Sequence, residues 1–308
     1  MSELRAALAD YLALRRALGY ALRQTEWLLT DFAGYLEEHR APHVTTELAL
    51  AWALRPAGAH PRWRRQRLSA VRGFARHLHA IDPRNQVPSA DLLPAAYTRV
   101  TPYLYSEADI AAVLAAARGL SPALRAATCQ ALIGLLAVTG MRIGEALGLD
   151  DGDVDQDALL LAVRKAKPGS ARTIPLHETT ARALRGYARL RDRHFPEPRT
   201  TSLFVSARGT RLAYSDANKT FRELIRRAGL EGRGERHRPR AHDLRHSFAV
   251  ATVLRWYREG ADVDARLPLL SAMLGHADPA SAYWYLQAAP ELLALVAQRL
   301  QQATGELT

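Results

Sequence analysis

The chain has 308 residues, 48% of them hydrophobic, and carries 42 Lys and Arg against 31 Asp and Glu, a formal charge of +11. That content suffices for one large core or two smaller ones, and the basic balance favours a polyanionic partner, because each phosphate neutralised releases condensed counterions. A single cysteine, Cys129, excludes an intramolecular disulfide framework, and no apolar run approaches the ~20 residues that cross a bilayer, so no membrane partner and a soluble, cytoplasmic protein are expected.

Residues 1–95 read as all-helical, with apolar positions recurring at three and four: Leu4, Tyr11, Leu12 and Leu14, then Trp27, Leu28, Phe32, Tyr35 and Leu36. A break at Arg40-Ala41-Pro42 precedes a short helix carrying Leu48, Leu50 and Trp52. After Pro61, a longer helix places Leu68, Val71, Phe74 and Leu78 on one face and arginines between them, giving a core face and a cationic face. Prolines at 83, 88, 94 and 102 exclude a continuous helix there, and an interdomain linker is expected at 96–102.

The second domain, 103–308, is expected to be mixed but mostly helical. Ser106 and Asp109 fit a capping box, and a helix after Ser121-Pro122 runs toward Gly140. A β-hairpin follows, from Leu159–Val163 and Arg172–Leu176 around the turn 167–170. Helices come next at about 179–193 and 221–228, then the basic loop 233–240 and a helix opening at His242. The stretch from Glu291 to Gln302 reads as an amphipathic helix displaying Leu292, Leu295, Val296 and Leu300.

Three strings carry chemistry: Thr139-Gly140-Met141-Arg142-Ile143-Gly144-Glu145, His242-Asp243-Leu244-Arg245-His246, and Leu274-Gly275-His276 with Tyr285 nine residues later. Two arginines, two histidines and a tyrosine supply cations for a pentacoordinate phosphate, proton-transfer groups and an oxygen nucleophile. A guanidinium presents a rigid fork to phosphate oxygens, and Glu145, three residues after Arg142, can lock its rotamer. His242 and Arg245 can face one phosphate from a helix start. His242 and His246 also have the spacing of helical zinc ligands, but no glutamate follows the first histidine and no third ligand is evident, so His246 reads as structural.

Order and spacing resemble the tyrosine recombinase (phage integrase) family over nearly the whole chain. The resemblance implies an N-terminal helical core-binding domain and a mostly helical catalytic domain with a small sheet. It implies site-specific recombination through a 3′-phosphotyrosyl intermediate, with neither metal nor cofactor. It makes Arg142 the first catalytic arginine, Glu145 its buttress, Arg245, His242 and His276 transition-state ligands, and Tyr285 the nucleophile. Tyr283 is the competitor, because Ala282-Tyr283 stands where threonine is frequent. Lys167 falls where the family has the lysine that protonates the departing 5′ oxygen, with Lys165 its competitor. Only three of the 42 basic residues are lysines, which marks that segment as one selected for a titratable group.

The resemblance also implies double-stranded DNA as partner and a homo-oligomer, a dimer per site and a tetrameric synapse, with the C-terminal helix docking in trans. Arg62, Arg64, Arg65, Arg67, Arg72 and Arg76 are the expected DNA contacts of the first domain, against the plainer reading of a solvated helical face. Short inverted repeats, of a mobile element or a dimer-resolution system, are the expected targets. A type IB topoisomerase and a catalytically silent DNA-binding relic are the alternatives. No role is evident for the long segment between Arg245 and His276.

Overall fold

The computed structural model describes residues 3–20, 22–55, 57–94, 102–164, 171–232 and 238–275. It is mainly helical with one small sheet, as the sequence led us to expect, and divides into the units Met1–Arg99 and Val100–Thr308.

In the first unit, helices α1 (Glu3–Ala17), α2 (Arg23–Glu38), α3 (Thr46–Leu54) and α4 (Pro61–Ile81) enclose one core. Helix α3 starts where the Thr45 side chain accepts from the Leu48 amide at 3.2 Å, and α4 starts on Pro61, whose fixed φ suits a first turn. Leu68, Val71, Phe74 and Leu78 of α4 bury against Leu28, Leu29, Phe32, Leu36 and Trp52. Each such side chain contributes about 1.5–3 kcal/mol on burial. Leu14 and Trp27, two of the apolar positions at helical spacing, are 51% and 58% exposed.

Arg67 corrects the expected DNA-contact set. It stands four residues before Val71 and seven before Phe74, on the apolar face of α4, and is 5% exposed. Its guanidinium lies 3.6 Å from the Trp52 ring centre, and Nη2 donates to the Trp52 carbonyl at 3.0 Å and reaches Asp31 at 3.5 Å. The aromatic face and the two oxygens offset the desolvation of a buried cation. Arg67 is therefore a core residue.

The proline-containing segment after α4 is stitched to its own unit. Asn85 is buried, its Oδ1 accepts from the Val44 amide at 3.0 Å, and the Gln86 amide donates to the Val44 carbonyl at 2.8 Å. Residues 96–101 of the expected linker and the expected helix at 291–302 lie outside the described residues.

The second unit opens with α5 (Glu107–Arg118), where the expected capping box forms: Ser106 Oγ accepts from the Asp109 amide at 3.1 Å and Asp109 Oδ2 from the Ser106 amide at 3.0 Å. Helix α6 (Ala123–Thr139) runs to Gly140 and buries Leu132, Ile133, Leu135 and Leu136, with Cys129, whose thiol burial pushes up to about 11. After α7 (Ile143–Gly148) comes an antiparallel sheet in the order β1 (Val154–Asp155), β2 (Leu160–Val163), β3 (Arg172–Pro175). The expected hairpin is β2–β3, with Leu161 opposite Ile174 and Val163 opposite Arg172; β1 is a third strand the sequence did not signal.

Helices α8 (Glu178–His194), α9 (Tyr214–Arg227), α10 (Asp243–Arg258) and α11 (Val263–Leu274) complete the described part. The segment that carried no evident role is the α10–α11 pair. Its Val250, Val253, Trp256, Val263, Leu267, Leu270 and Leu274 form a separate apolar cluster that ends one residue before Gly275.

Candidate active site

Helix α6 stops because Gly140 turns left-handed, at φ +61°. A Cβ there would overlap the Phe248 ring of α10 and approach Leu274 Cδ2 of α11 to 2.9 Å, so three elements converge on a position only glycine fits. The turn places Arg142 just before α7. Its backbone amide donates to Glu145 Oε2 at 3.0 Å, its Nη1 to Glu145 Oε1 at 2.9 Å, and its Nη2 to the Gly275 carbonyl at 3.1 Å. The side chain of Arg142 remains 43% exposed, so the fork is oriented yet accessible, whereas Glu145 is 8% exposed.

Arg245, in the first turn of α10, is 2% exposed and donates from Nη1 to the Gly140 carbonyl at 3.0 Å. Both sequence-predicted arginines are thus fixed to the same turn, one at Gly140 and the other two residues on. His242 precedes α10 and keeps an exposed face. Desolvation by the protein packed around the ring, with positive charge from Arg245, Arg240 and Arg142, holds its pKa below the ordinary histidine value against the opposing pull of Asp243. His246 meets His242 edge to face, ring centres 5.0 Å apart, and burial together with His242 pushes its pKa down to about 4.

Residues the sequence reading did not single out hold this arrangement. Asp243 is fully buried and accepts from the Arg240 backbone amide and Nη2, both at 2.9 Å, fixing the turn that carries His242. Ser247 accepts from the Tyr105 amide at 2.8 Å, and the Tyr105 hydroxyl donates to the Arg240 carbonyl at 3.2 Å. Arg172 of β3 reaches both oxygens of Glu145, Nη2 to Oε2 at 2.7 Å and Nη1 to Oε1 at 3.3 Å. Burial opposes ionisation of Glu145, but hydrogen bonds from Arg172 and from Arg142 hold its carboxyl below the ordinary range. No local spacing signals Arg172, because its partners are set by the fold, whereas Asp243 pairs with Arg240 only three residues back, a spacing visible in the sequence.

Lys167, its competitor Lys165, His276, Tyr285 and its competitor Tyr283 lie outside the described residues. In the first unit, Arg62, Arg65 and Arg72 line one groove of about 350 Å³ with Gln66, Ser69 and Leu93. Arg76 is exposed, one turn beyond Arg72, and Arg64 is half-buried. A second cavity, of about 530 Å³ between α6 and α9, shares none of Arg142, His242 or Arg245.

Arg142 and Arg245, each anchored by hydrogen bonds, and His242 stand at helix ends of a mainly helical protein, an arrangement chemically suited to an anionic, phosphate-like group. Residues 106–291 match the phage integrase family. The protein named "Putative integrase/recombinase y4rB" of Sinorhizobium fredii is 45% identical over 314 residues, covering 100% of both chains. The tyrosine recombinase XerD of Caulobacter vibrioides is 31% identical, over 88% of this chain and 86% of its own. Among solved structures, the Tn1549 transposon integrase in complex with transposon right end DNA matches 96% of this chain and 98% of its own at a TM-score of 0.65; at 18% identity that likeness is one of fold. The chain belongs to the phage integrase family, the tyrosine recombinases, enzymes that cut and rejoin DNA.

Proposed function

We propose that this enzyme recombines DNA at short inverted-repeat sites, of the mobile-element or dimer-resolution type, through a covalent phosphotyrosine. The observation that carries the reading is the joint anchoring of Arg142 and Arg245 at one turn, with the Arg142 fork exposed between Glu145 and the Gly275 carbonyl. Two guanidiniums fixed before substrate arrives stabilise the extra charge of a pentacoordinate phosphate without reorganising.

The Tyr285 oxygen attacks the scissile phosphorus, the bond from phosphorus to the 5′ oxygen breaks, and a 3′-phosphotyrosyl link forms. His242, kept neutral near pH 7 by its surroundings, accepts the phenolic proton. Lys167 delivers a proton to the departing 5′ oxygen, and His276 adds a hydrogen bond to the phosphate. A 5′ hydroxyl from the partner strand then attacks the phosphotyrosine and releases Tyr285. The phosphodiester energy is conserved, so neither metal nor nucleotide is required.

The groove of Arg62, Arg65 and Arg72, extended by Arg76, is the phosphate-contacting face of the first unit. Assembly as a dimer per site and a tetrameric synapse uses the C-terminal segment 291–302.

A nicked suicide duplex, built on the sequence that the protein selects from a randomised duplex pool, tests the reading. A covalent adduct mapping to the Tyr285 peptide, absent in Tyr285→Phe and retained in Tyr283→Phe, is expected. An adduct on Tyr283 overturns the assignment of the nucleophile, and no adduct on any duplex overturns the mechanism.

A further inference from the structure

Arg172 is a side chain bonded to Glu145 that the chemistry above does not use. Its side chain is 9% exposed, and its three guanidinium nitrogens are committed in two directions. Nη1 and Nη2 grip the two oxygens of Glu145, while Nε donates to the Met273 carbonyl, 101 residues away, at 2.7 Å. Met273 lies in the last turn of α11, and Arg142 takes the next free carbonyl but one, that of Gly275. Glu145 is therefore shared by two arginines, each of which holds one carbonyl of the same short stretch.

The backbone of that stretch is shaped to admit the clamp. Gly275 is left-handed at φ +67°, and a Cβ built on it would lie 2.6 Å from Arg172 Nη1 and 2.9 Å from Arg172 Cζ. A side chain at 275 and the guanidinium of Arg172 cannot occupy the same place. His276 is the next residue. At its other end Arg172 is the first residue of β3, and the chain from β2 to β3 carries Lys165 and Lys167.

We infer that Arg172 is a positioning residue, which clamps the Met273–Gly275 backbone to Glu145 and acts on the reaction through His276, the residue that follows that backbone in the sequence. It touches no reacting atom. The inference rests on the recombinase reading only for what His276 does; the clamp itself is a property of the DNA-free protein. A planar fork with three donors in two directions is a geometry lysine cannot supply, so charge alone does not substitute for it.

The test has two arms. In the first, adduct formation is timed in single turnovers on the selected nicked duplex for wild type, Arg172→Lys, His276→Ala and the double variant. Arg172→Lys should slow adduct formation about tenfold or more while half-site affinity stays within about twofold, and the same substitution in the His276→Ala background should cost less than about twofold. Losses that multiply in the double variant overturn the proposal, because Arg172 would then act independently of His276. In the second arm, hydrogen exchange of the DNA-free protein should accelerate at the 274–276 amides in Arg172→Lys and Gly275→Ala, with α6 and α8 unchanged. Gly275→Ala leaves the Arg172–Glu145 charges chemically intact and so serves if the lysine variant does not fold. Unchanged exchange at 274–276 in a folded variant overturns the clamp whether or not the protein cleaves DNA. Wild-type protein that forms no adduct refutes the recombinase mechanism alone, and the exchange arm still decides the clamp.

Discussion

Arg245 donates from Nη1 to the carbonyl oxygen of Gly140, 105 residues earlier in the chain, at 3.0 Å. One buried hydrogen bond therefore sets the second arginine against the turn that launches the first. Its geometry depends on Gly140 being left-handed and lacking a Cβ, since Phe248 and Leu274 occupy the space a side chain would take. Gly140→Ala should therefore cost about 1–3 kcal/mol in strain and overpacking. Cleavage should fall further than stability explains, because Arg245 is displaced from its acceptor. Denaturant unfolding beside suicide-substrate cleavage at a temperature where the variant remains folded separates the two effects. Normal cleavage by a folded Gly140→Ala protein would show that Arg245 does not need this anchor.

The arginines of α4 should divide into two classes. Arg67→Ala leaves Asp31 and the Trp52 carbonyl without their cation and opens a cavity over an aromatic face. It should destabilise the first unit by about 2–4 kcal/mol, at or below the ~3–5 kcal/mol lost when one member of a fully buried pair is removed, because the Asp31 side chain is 52% exposed. Alanine at Arg65, Arg72 or Arg76 should leave the melting temperature nearly unchanged. Each should instead weaken duplex binding and lower the slope of log affinity against log salt by about one. A salt titration of binding with a thermal melt for each variant distinguishes the classes. A reduced salt slope in a stable Arg67→Ala protein would return that residue to the DNA face.

What local pattern can encode was readable in the chain. The Ser106 capping box, the apolar spacing of α4 and the helix stop at Gly140 all rest on contacts within a few residues. Arg67 shows where composition misleads: an arginine in a cationic run reads as a DNA contact, although its spacing from Val71 and Phe74 puts it on the apolar face. Strand β1 escaped because two residues, Val154 and Asp155, carry no periodicity. Arg172 could be read only as a strand residue, since its partners Glu145 and Met273 stand 27 and 101 positions away. Local pattern located the candidate chemistry. The long-range polar pairs that orient it exist only in the folded chain.

His242, just before α10, and His246, in its first turn, should both make stability fall in mild acid. His246 has a folded pKa of about 4 against an ordinary value of 6.5. Between those values the unfolded chain binds a proton that the folded chain refuses, so stability is complete above about pH 6.5 and declines as pH falls toward about 4. His242, also lowered, adds in the same direction. His246→Gln should flatten the stability profile across that window without abolishing cleavage. His242→Gln should instead remove the acidic limb of the rate of adduct formation at subsaturating DNA, a limb expected below pH 6.5 because the free enzyme's imidazole is the acceptor. Chemical denaturation from pH 4 to 8 tests the first, and a single-turnover pH series the second. Equal loss of cleavage in His246→Gln would contradict the structural role assigned to it.

The lysine assignment yields the sharpest chemical test. A leaving 5′ oxygen needs a proton, whereas a leaving 5′ sulfur departs as a thiolate at neutral pH because its conjugate acid is far stronger. If Lys167 is the donor, Lys167→Ala should slow cleavage of the oxygen substrate by about 10²-fold or more, the usual contribution of a positioned general acid. Cleavage of a 5′-bridging phosphorothiolate by the same variant should stay within a few-fold of wild type. Lys167→Arg discriminates further: it retains the positive charge, but a guanidinium with a pKa above about 12 does not release its proton at useful rates. It should therefore resemble alanine on the oxygen substrate if the role is proton transfer, and resemble wild type if the role is electrostatic. Lys165→Ala, two residues away, serves as the control, and selective sulfur rescue of that variant would move the role to Lys165. Equal slowing of both substrates by Lys167→Ala would mean that neither lysine protonates the leaving group, and that the proton comes from a residue elsewhere in the site.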